Sequence, residues 1–190
     1  MKFAKSYKKS VFCLEGNWHP DLRNRATIRS VLEFLSVNCN LSYIHRDCGT
    51  REELVYYLRR WPQKRYEKYA IGYLAFHGQP GSLEINKHTY FELEELGDIL
   101  EDKCAGRILH FGSCNVLDVS RSRIQAFLRK TKCLCICGYR QPVDWIASSA
   151  FDLLLIDMFQ YYKDVDALAK RILGSYGSLV KALHFRIIRG

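Results

Sequence analysis

The sequence predicts an α/β fold, a three-layer sandwich in which helices cover both faces of a mainly parallel β-sheet. Short apolar runs alternate with segments of helical periodicity along almost the whole chain. The central runs are apolar on both faces, which is typical of buried parallel strands. With 190 residues, of which 48% are hydrophobic, and no repeat or linker, the chain is expected to form one domain spanning residues 1–190.

The first half of the chain is predicted to supply three strands and two helices. The strands are expected at residues 10–14, 41–44 and 69–76. Apolar residues at helical spacing predict the first helix over residues 21–37. The second helix is expected to begin after Thr50, a good N-cap residue followed by two glutamates in the first turn, and to end before Pro62.

The second half of the chain continues the alternation. A small hairpin is expected at residues 83–85 and 88–91, with His88 at the surface. Helices are expected at residues 92–104, 120–132 and 144–162, and residues 165–183 are expected to form one or two more. Two further strands are expected at residues 107–111 and 133–139, and an edge strand at residues 184–189.

The eight cysteines are expected to be reduced and, with one exception discussed below, structural. Cys133, Cys135 and Cys137 alternate, so all three are predicted on one face of their strand and in the core. Zinc sites favour Cys-x-x-Cys pairs on turns, and no such pair occurs, so no metal is expected. Core positions are also expected for the cysteines without paired spacing, Cys13, Cys39, Cys48 and Cys104.

The absence of targeting signals and the net charge indicate where the protein is located and what kind of partner it contacts. The basic start of the chain leads to no signal peptide, and no apolar stretch is long enough to span a membrane, so a cytoplasmic location is expected. The formal net charge is +9, but the basic residues are dispersed and do not interleave with aromatic residues. Protein or peptide contacts are therefore expected over nucleic-acid contacts, a class that the charge alone leaves open.

Two neighbouring predicted strands end in a reactive side chain beside small residues. The strand at residues 69–76 is followed by His77, and the strand at residues 107–111 by Cys114 three residues later. In a parallel sheet the carboxyl ends of strands share one edge, where function collects. An imidazole beside a thiol is the minimum equipment of a cysteine nucleophile with its base. We therefore expect a candidate His–Cys dyad at this edge.

Residues around the predicted dyad suit acyl transfer. The N–H groups of Gly78 and Cys114 are expected to bind the oxyanion that forms on the attacked carbonyl. Gly112 and Ser113 are small and leave room for a substrate beside the nucleophile. Glu15 ends the first predicted strand at the same edge, where it is expected to orient a substrate.

At these residues the chain resembles the caspase-like cysteine peptidases, the group that comprises caspases, metacaspases, separases and bacterial CHAT peptidases. The matching segments are an apolar strand ending in His-Gly, a strand ending in a small residue and cysteine, a Thr-x-x-Glu-Leu helix start, and a segment similar to Trp-Pro-Val-Asp-Asp. In this sequence they occupy residues 74–78, 111–114, 47–54 and 141–147. The resemblance spans residues 10–162, closest in pattern to the CHAT peptidases.

The resemblance implies a cysteine endopeptidase that works through an acyl-thioester without a cofactor. Cys114 would be the nucleophile and His77 the general acid and base. Asp144 would bind a basic side chain before the scissile bond of a protein or peptide substrate. Because Gln141 and Trp145 depart from the family's segment, Arg140 in the same loop could instead select an acidic side chain.

The resemblance also implies how such an enzyme is controlled. No long loop separates Cys114 from the next strand, so activation by cutting the chain is not expected. Switching by a partner protein, a sensor domain or a ligand is expected instead. Small bacterial members of the group act in defence or regulated cell death, and the resemblance implies such a role here.

Two other hypotheses share the architecture. The first is a non-catalytic caspase-like adaptor that binds a partner through its basic surface. The second is a flavodoxin-like or nucleotide-binding signalling module, which the absence of Gly-x-Gly-x-x-Gly and Walker sequences disfavours. Retention of both His77 and Cys114 favours the peptidase over the adaptor.

Overall fold

The structure, a computed structural model, describes residues 8–21, 23–87 and 89–190. Three regions named in the predictions therefore lie outside the described residues. They are the basic start of the chain, Leu22 in the first predicted helix, and His88, which was expected at the surface. The strands within the described ranges are β1 (Val11–Glu15), β2 (Tyr43–Asp47), β3 (Ile71–Ala75), β4 (His77–Gln79), β5 (Ser82–Asn86), β6 (Thr89–Glu92), β7 (Ile108–Phe111), β8 (Cys135–Tyr139) and β9 (Phe185–Arg189). The helices are α1 (Arg29–Cys39), α2 (Arg51–Arg60), α3 (Leu93–Ile99), α4 (Arg121–Thr131), α5 (Trp145–Phe159) and α6 (Val165–Ala182).

Six strands form a sheet in the order β2-β1-β3-β7-β8-β9. Neighbouring strands are parallel except that β9 runs antiparallel to β8 at the edge. The expected parallel sheet and its final edge strand are thus present. Because β3 and β7 are direct neighbours, the segments that follow them leave the sheet side by side.

Helices cover both faces of this sheet, which gives the predicted three-layer α/β sandwich. Residues of α2, α3 and α4 pack with one face around Trp61, Phe76 and Phe111. Residues of α1, α5 and α6 pack with the opposite face around Tyr73 and Tyr139. Each face therefore has its own apolar core, as strands buried on both sides require.

Local sequence explains why several helices begin where they do. The hydroxyl of Thr50 accepts from the N–H of Glu53, whose carboxylate in turn accepts from the N–H of Thr50. Asp144 caps α5 in the same way by accepting from the N–H of Ala147 at 2.8 Å. The predicted helix start at Thr50 is confirmed, and α2 ends two residues before Pro62.

Two predicted helices are shorter than expected. The helix predicted over residues 21–37 begins only at Arg29, because Asp21 and Asn24 accept from backbone N–H groups two residues further on. The helix predicted over residues 92–104 ends at Ile99. Beyond it Asp102 donates its N–H to the carbonyl of Lys130, so tertiary contacts with α4 replace further helical bonds.

Two expectations about strands are also corrected. Cys133 packs with the opposite core from Cys135 and Cys137, because β8 begins only at Cys135 and Cys133 lies before it, in an isolated antiparallel bridge with Ala105. The predicted hairpin is the second part of a three-stranded antiparallel sheet, β4-β5-β6, whose first strand begins at His77. His77 is therefore the first residue of strand β4 and does not belong to a loop after β3.

Helix length and composition bear on membrane insertion. In the described residues, none of the helices combines the length and the apolar character needed to cross a bilayer.

Candidate active site

Ser113 joins the ends of the two central strands. Its buried hydroxyl accepts from the N–H of Phe76 at 3.1 Å and lies 3.3 Å from the carbonyl oxygen of Leu74, to which it donates. The segments after β3 and β7 are thereby held together. Ser113, predicted to leave room for a substrate beside the nucleophile, is buried, and its hydroxyl is hydrogen-bonded to the protein backbone.

Gly78 and Cys114 approach each other so closely that no side chain fits at position 78. A Cβ atom built on Gly78 would lie 2.5 Å from the carbonyl oxygen of Cys114 and 2.5 Å from the Val116 side chain. The segment that carries His77 therefore lies directly against the segment that carries Cys114. This contact brings the two predicted reactive residues to one edge of the sheet.

Cys114 lies at a sharp turn with its thiol half-buried. The next residue, Asn115, has a left-handed φ of 60°. The Sγ atom accepts from the N–H of Val143, 3.5 Å away, in the loop after β8. Among the described residues, none accepts a hydrogen bond from the N–H of Cys114. That N–H is therefore available to an incoming oxygen, as an oxyanion-binding donor must be.

His77 is exposed, and one of its ring nitrogens has a fixed partner. Its Nε2 lies 2.8 Å from the carbonyl oxygen of Trp18, which can only accept. Nε2 therefore donates to this carbonyl, and in the tautomer that this contact favours Nδ1 is the acceptor. In the described part of the chain the ring makes no hydrogen bond to the Cys114 sulfur. The structure places the two segments in contact but not the two reactive atoms.

Glu15 supports Trp18 from below the surface. It is 2% exposed and accepts from the indole N–H of Trp18, from His45, from the hydroxyl of Thr27 and from the N–H of Ile28. Burial opposes ionisation, but these hydrogen bonds outweigh it and hold the pKa of Glu15 below its ordinary value. Both carboxylate oxygens are engaged with the protein, so Glu15 positions Trp18 rather than facing a substrate directly.

Glu15, His45 and Asp47 form a group whose ligand atoms lie within 4.8 Å of one another. Carboxylate and imidazole groups at this spacing can hold a divalent cation. However, the oxygens of Glu15 already accept four protein donors. These hydrogen bonds occupy the oxygen atoms that would otherwise bind a metal ion. The group is therefore interpreted as a hydrogen-bonded support for Trp18.

Asp144 and Arg140 lie in the loop between β8 and α5, which also contacts the Cys114 sulfur through Val143. Both side chains are exposed. One oxygen of Asp144 caps α5, and Arg140 lies 3.6 Å from Asp118 in an exposed ion pair. Both side chains are thus exposed in the loop that contacts the Cys114 sulfur, and each already has a partner within the protein.

A buried polar network lies beneath this edge. The Asp152 carboxylate of α5 accepts from Tyr73 and Tyr139 and pairs with Nε2 of His110 at 2.8 Å. Burial, followed by the nearby charge of Asp152, raises the pKa of both tyrosines well above the ordinary value. His110 is itself buried in β7, and its contact with Asp152 ties β7 to α5.

Burial separates Cys114 and Cys39 from the other six cysteines. All eight are free, but only Cys114 and Cys39 have appreciable exposure. The expectation that Cys39 belongs to the core is therefore wrong, because it ends α1 on the surface. Burial raises the pKa of Cys48 and of Cys135 to about 12 in each case. Those thiols are poor nucleophiles near neutral pH.

Three residues that the sequence did not predict as site residues contribute here: Trp18, Val143 and, through its ring, Trp145. The rings of Trp18 and Trp145 meet edge-on with centroids 4.7 Å apart, and the Trp18 ring also meets the ring of His77 at 5.2 Å. The only available signal was position, because each residue closely follows the end of a parallel strand. Trp18 and Val143 act here through backbone atoms, and these atoms are the same in every residue type, so the sequence does not reveal them.

Fold and site together define an α/β protein whose parallel sheet presents a thiol and an imidazole on touching segments. The chain belongs to DUF6642, a family of unknown function, whose model matches residues 8–188. No curated protein matches the chain at a significant level.

Proposed function

We propose that this protein is a cysteine endopeptidase in which Cys114 is the nucleophile and His77 the general base. The observation that carries the proposal is the contact between Gly78 and the carbonyl of Cys114, which joins the two reactive segments at the carboxyl edge of the sheet. The half-buried sulfur and the assigned tautomer of His77 support it.

In the first half of the proposed reaction, the Cys114 sulfur attacks the carbonyl carbon of a peptide bond. Nδ1 of His77 takes the thiol proton, while Nε2 keeps its hydrogen bond to the Trp18 carbonyl. The carbonyl oxygen becomes an oxyanion that accepts from the N–H groups of Cys114 and Gly78. The intermediate then expels the amine, which takes the proton from His77 and leaves an acyl-thioester.

In the second half, water replaces the amine. Nδ1 of His77 removes a proton from the water as its oxygen attacks the thioester carbonyl. The carbon–sulfur bond breaks, the carboxylic acid leaves, and the proton returns to sulfur. No cofactor or metal is needed for either half.

The proposed enzyme is switched on by a partner protein or ligand. In the described residues the Cys114 sulfur accepts from Val143 and makes no hydrogen bond to His77, so a shift must precede proton transfer. Catalytic hydrogen bonds often shorten only in the substrate complex, which makes loop movement a reasonable trigger. The loop after β8 is the segment that must move, because Val143 belongs to it.

The proposed substrates are proteins or peptides in the cytoplasm, where eight free cysteines are stable. Asp144 is proposed to select a basic residue before the scissile bond, and Arg140 an acidic one if the ion pair with Asp118 opens. A role in bacterial defence or regulated cell death is part of the proposal and depends on the resemblance alone.

The proposal is tested with fluorogenic peptides that carry Arg, Lys, Asp or Leu before the scissile bond. The protein is assayed alone and with an extract of its source organism, beside the variants Cys114→Ala and His77→Ala. Hydrolysis that requires both side chains supports the dyad, and equal hydrolysis by all three proteins contradicts it. Full activity of the purified protein alone contradicts the switch.

A non-catalytic adaptor is the second candidate function. It is favoured by the missing hydrogen bond between His77 and Cys114 and by the basic surface beside β2 described below. An adaptor would bind its partner equally well after Cys114→Ala and would show no hydrolysis with any peptide of the panel.

A further inference from the structure

The free edge of β2 has unused backbone hydrogen-bonding groups. Strand β2 ends the six-stranded sheet, with β1 as its neighbour. Val11 donates to the carbonyl of Ser42, and Cys48 donates to the carbonyl of Glu15. Because backbone groups alternate along a parallel ladder, the even-numbered residues of β2 bond to β1. The N–H groups of Tyr43, His45 and Asp47 therefore point away from the sheet.

These three N–H groups donate to no described residue. Of the matching carbonyls, that of His45 accepts from the Arg46 guanidinium at 3.1 Å. An edge of this kind is a template for an added strand, since an extended chain presents complementary groups every second residue. The edge thus supplies the main-chain half of a peptide-binding site.

An open groove follows this edge. All five residues of β2 line a cavity of about 550 Å³ together with Arg29 and Tyr57. A second cavity of about 300 Å³ shares Ile44, Arg46 and Tyr57 and extends the space to Arg60. We call these two cavities the β2-edge groove. It offers apolar contact from Ile44 and Tyr57 beside the exposed backbone.

The charge of the β2-edge groove is positive. Three arginines line the groove: Arg29, Arg46 and Arg60. None of them forms an ion pair with another described residue. Among the described residues that line the groove, Asp47 is the single acidic one. The guanidinium of Arg60 is stacked 4.2 Å above the ring of Tyr56, which fixes its position beside the groove. Guanidinium groups held in this way bind carboxylates strongly.

We propose that the β2-edge groove binds an extended, acidic segment of a partner protein, which adds to β2 as a further strand. Main-chain bonds to Tyr43, His45 and Asp47 supply affinity, and the arginines select carboxylate side chains. A nucleic acid could use the same arginines, but it would leave the strand's N–H groups without acceptors in register. The proposal does not depend on peptidase activity, since neither His77 nor Cys114 takes part.

Binding is tested with a fluorescein-labelled peptide of five Glu-Val repeats. One comparison peptide has the same sequence with every second amide N-methylated, which removes the ladder donors and keeps the charge. Others are a Lys-Val peptide and single-stranded oligothymidine of fifteen nucleotides. Fluorescence anisotropy measures the Kd with the full chain, and hydrogen exchange by NMR follows the amides of Tyr43, His45 and Asp47.

We expect the Glu-Val peptide to bind and to slow exchange at these three amides. Arg46→Glu should weaken binding by about tenfold or more, equivalent to losing one charge-assisted contact. The matched control Arg129→Glu changes an exposed arginine on α4 that forms no ion pair with another described residue, and it should leave the Kd within about twofold. The N-methylated peptide should also bind about tenfold more weakly.

Three results would overturn the proposal. Equal affinity for the N-methylated peptide would show that the groove binds by charge attraction alone, without addition of a strand. Tighter binding of oligothymidine, lost in Arg46→Glu, would assign the groove to nucleic acid. Absence of binding by every probe, with the fold of each protein confirmed by circular dichroism, would remove the site altogether.

Discussion

Nε2 of His77 lies 2.8 Å from the carbonyl oxygen of Trp18, so a backbone atom rather than a carboxylate sets the tautomer of the histidine. Trp18 is itself held by its indole N–H, which donates to the buried carboxylate of Glu15. The exposed histidine is thus connected to the core of the sheet through two residues. This arrangement makes Glu15 a positioning residue whose effects can be measured.

Replacing Glu15 tests this connection. In Glu15→Gln one oxygen becomes an amide nitrogen that faces donors such as Trp18 and His45, so at least one buried donor loses its acceptor. We expect a loss of about 1–3 kcal/mol in the free energy of unfolding, measured with urea. The exposed Glu33→Gln, which alters a surface contact to Tyr43, serves as control and should change stability by less than about 0.5 kcal/mol.

The same carboxylate predicts how stability depends on pH. Hydrogen bonds hold the folded pKa of Glu15 below its ordinary value of 4.5, so its stabilising contribution is complete above that value. It is lost as the pH falls through the lower folded pKa. The difference in unfolding free energy between the wild type and Glu15→Gln should therefore be constant down to pH 4.5 and shrink below it. A difference that grows towards acid pH would contradict this assignment.

Gly78→Ala should disrupt the contact that joins the two segments. The new methyl group would lie 2.5 Å from the backbone oxygen of Cys114 and 2.5 Å from the side chain of Val116. The backbone would have to move to relieve this clash, and that movement costs free energy. We expect destabilisation of about 1–3 kcal/mol, the usual range for overpacking, and altered NMR shifts around Cys114. Gly174→Ala is the control, because nothing lies within 4 Å of its Cβ in α6 and alanine favours a helix. Unchanged shifts at Cys114 in Gly78→Ala would count against the contact.

Thiol labelling should distinguish Cys114 from the other cysteines. Six of the eight are buried, and partial burial together with the charge of Asp157 raises the pKa of Cys39. Brief iodoacetamide treatment of the folded protein at mildly acidic pH should therefore modify Cys114 first, as peptide mapping by mass spectrometry would show. Cys39→Ser should leave this labelling intact and Cys114→Ser should remove it. Faster modification of Cys39 would contradict the prediction.

The sheet and its edge were predictable from sequence because both depend on local signals. Thr50 and Glu53 form the expected capping pair, and the apolar runs at residues 71–75 and 108–111 are adjacent parallel strands. Residue spacing was enough to place His77 and Cys114 at one edge, since the carboxyl ends of parallel strands meet there.

What sequence reasoning could not supply depends on tertiary contacts. Asp21 and Asn24 bind nearby N–H groups, so an apparently helical segment remains a turn until Arg29. The carbonyl of Trp18 and the N–H of Val143 act through the backbone, which is common to every residue type. Such contributors become visible only when the loops after different strands are brought together.

The central claim, that Cys114 reacts with the help of His77, is tested most directly by intact-mass spectrometry with a peptidyl chloromethyl ketone. The protein is treated alone and with an extract of its source organism. We predict one adduct, on Cys114, that forms faster with the extract and at least about a hundredfold more slowly in His77→Ala. An adduct that forms equally fast in His77→Ala, or no adduct on Cys114 under either condition, would contradict the account.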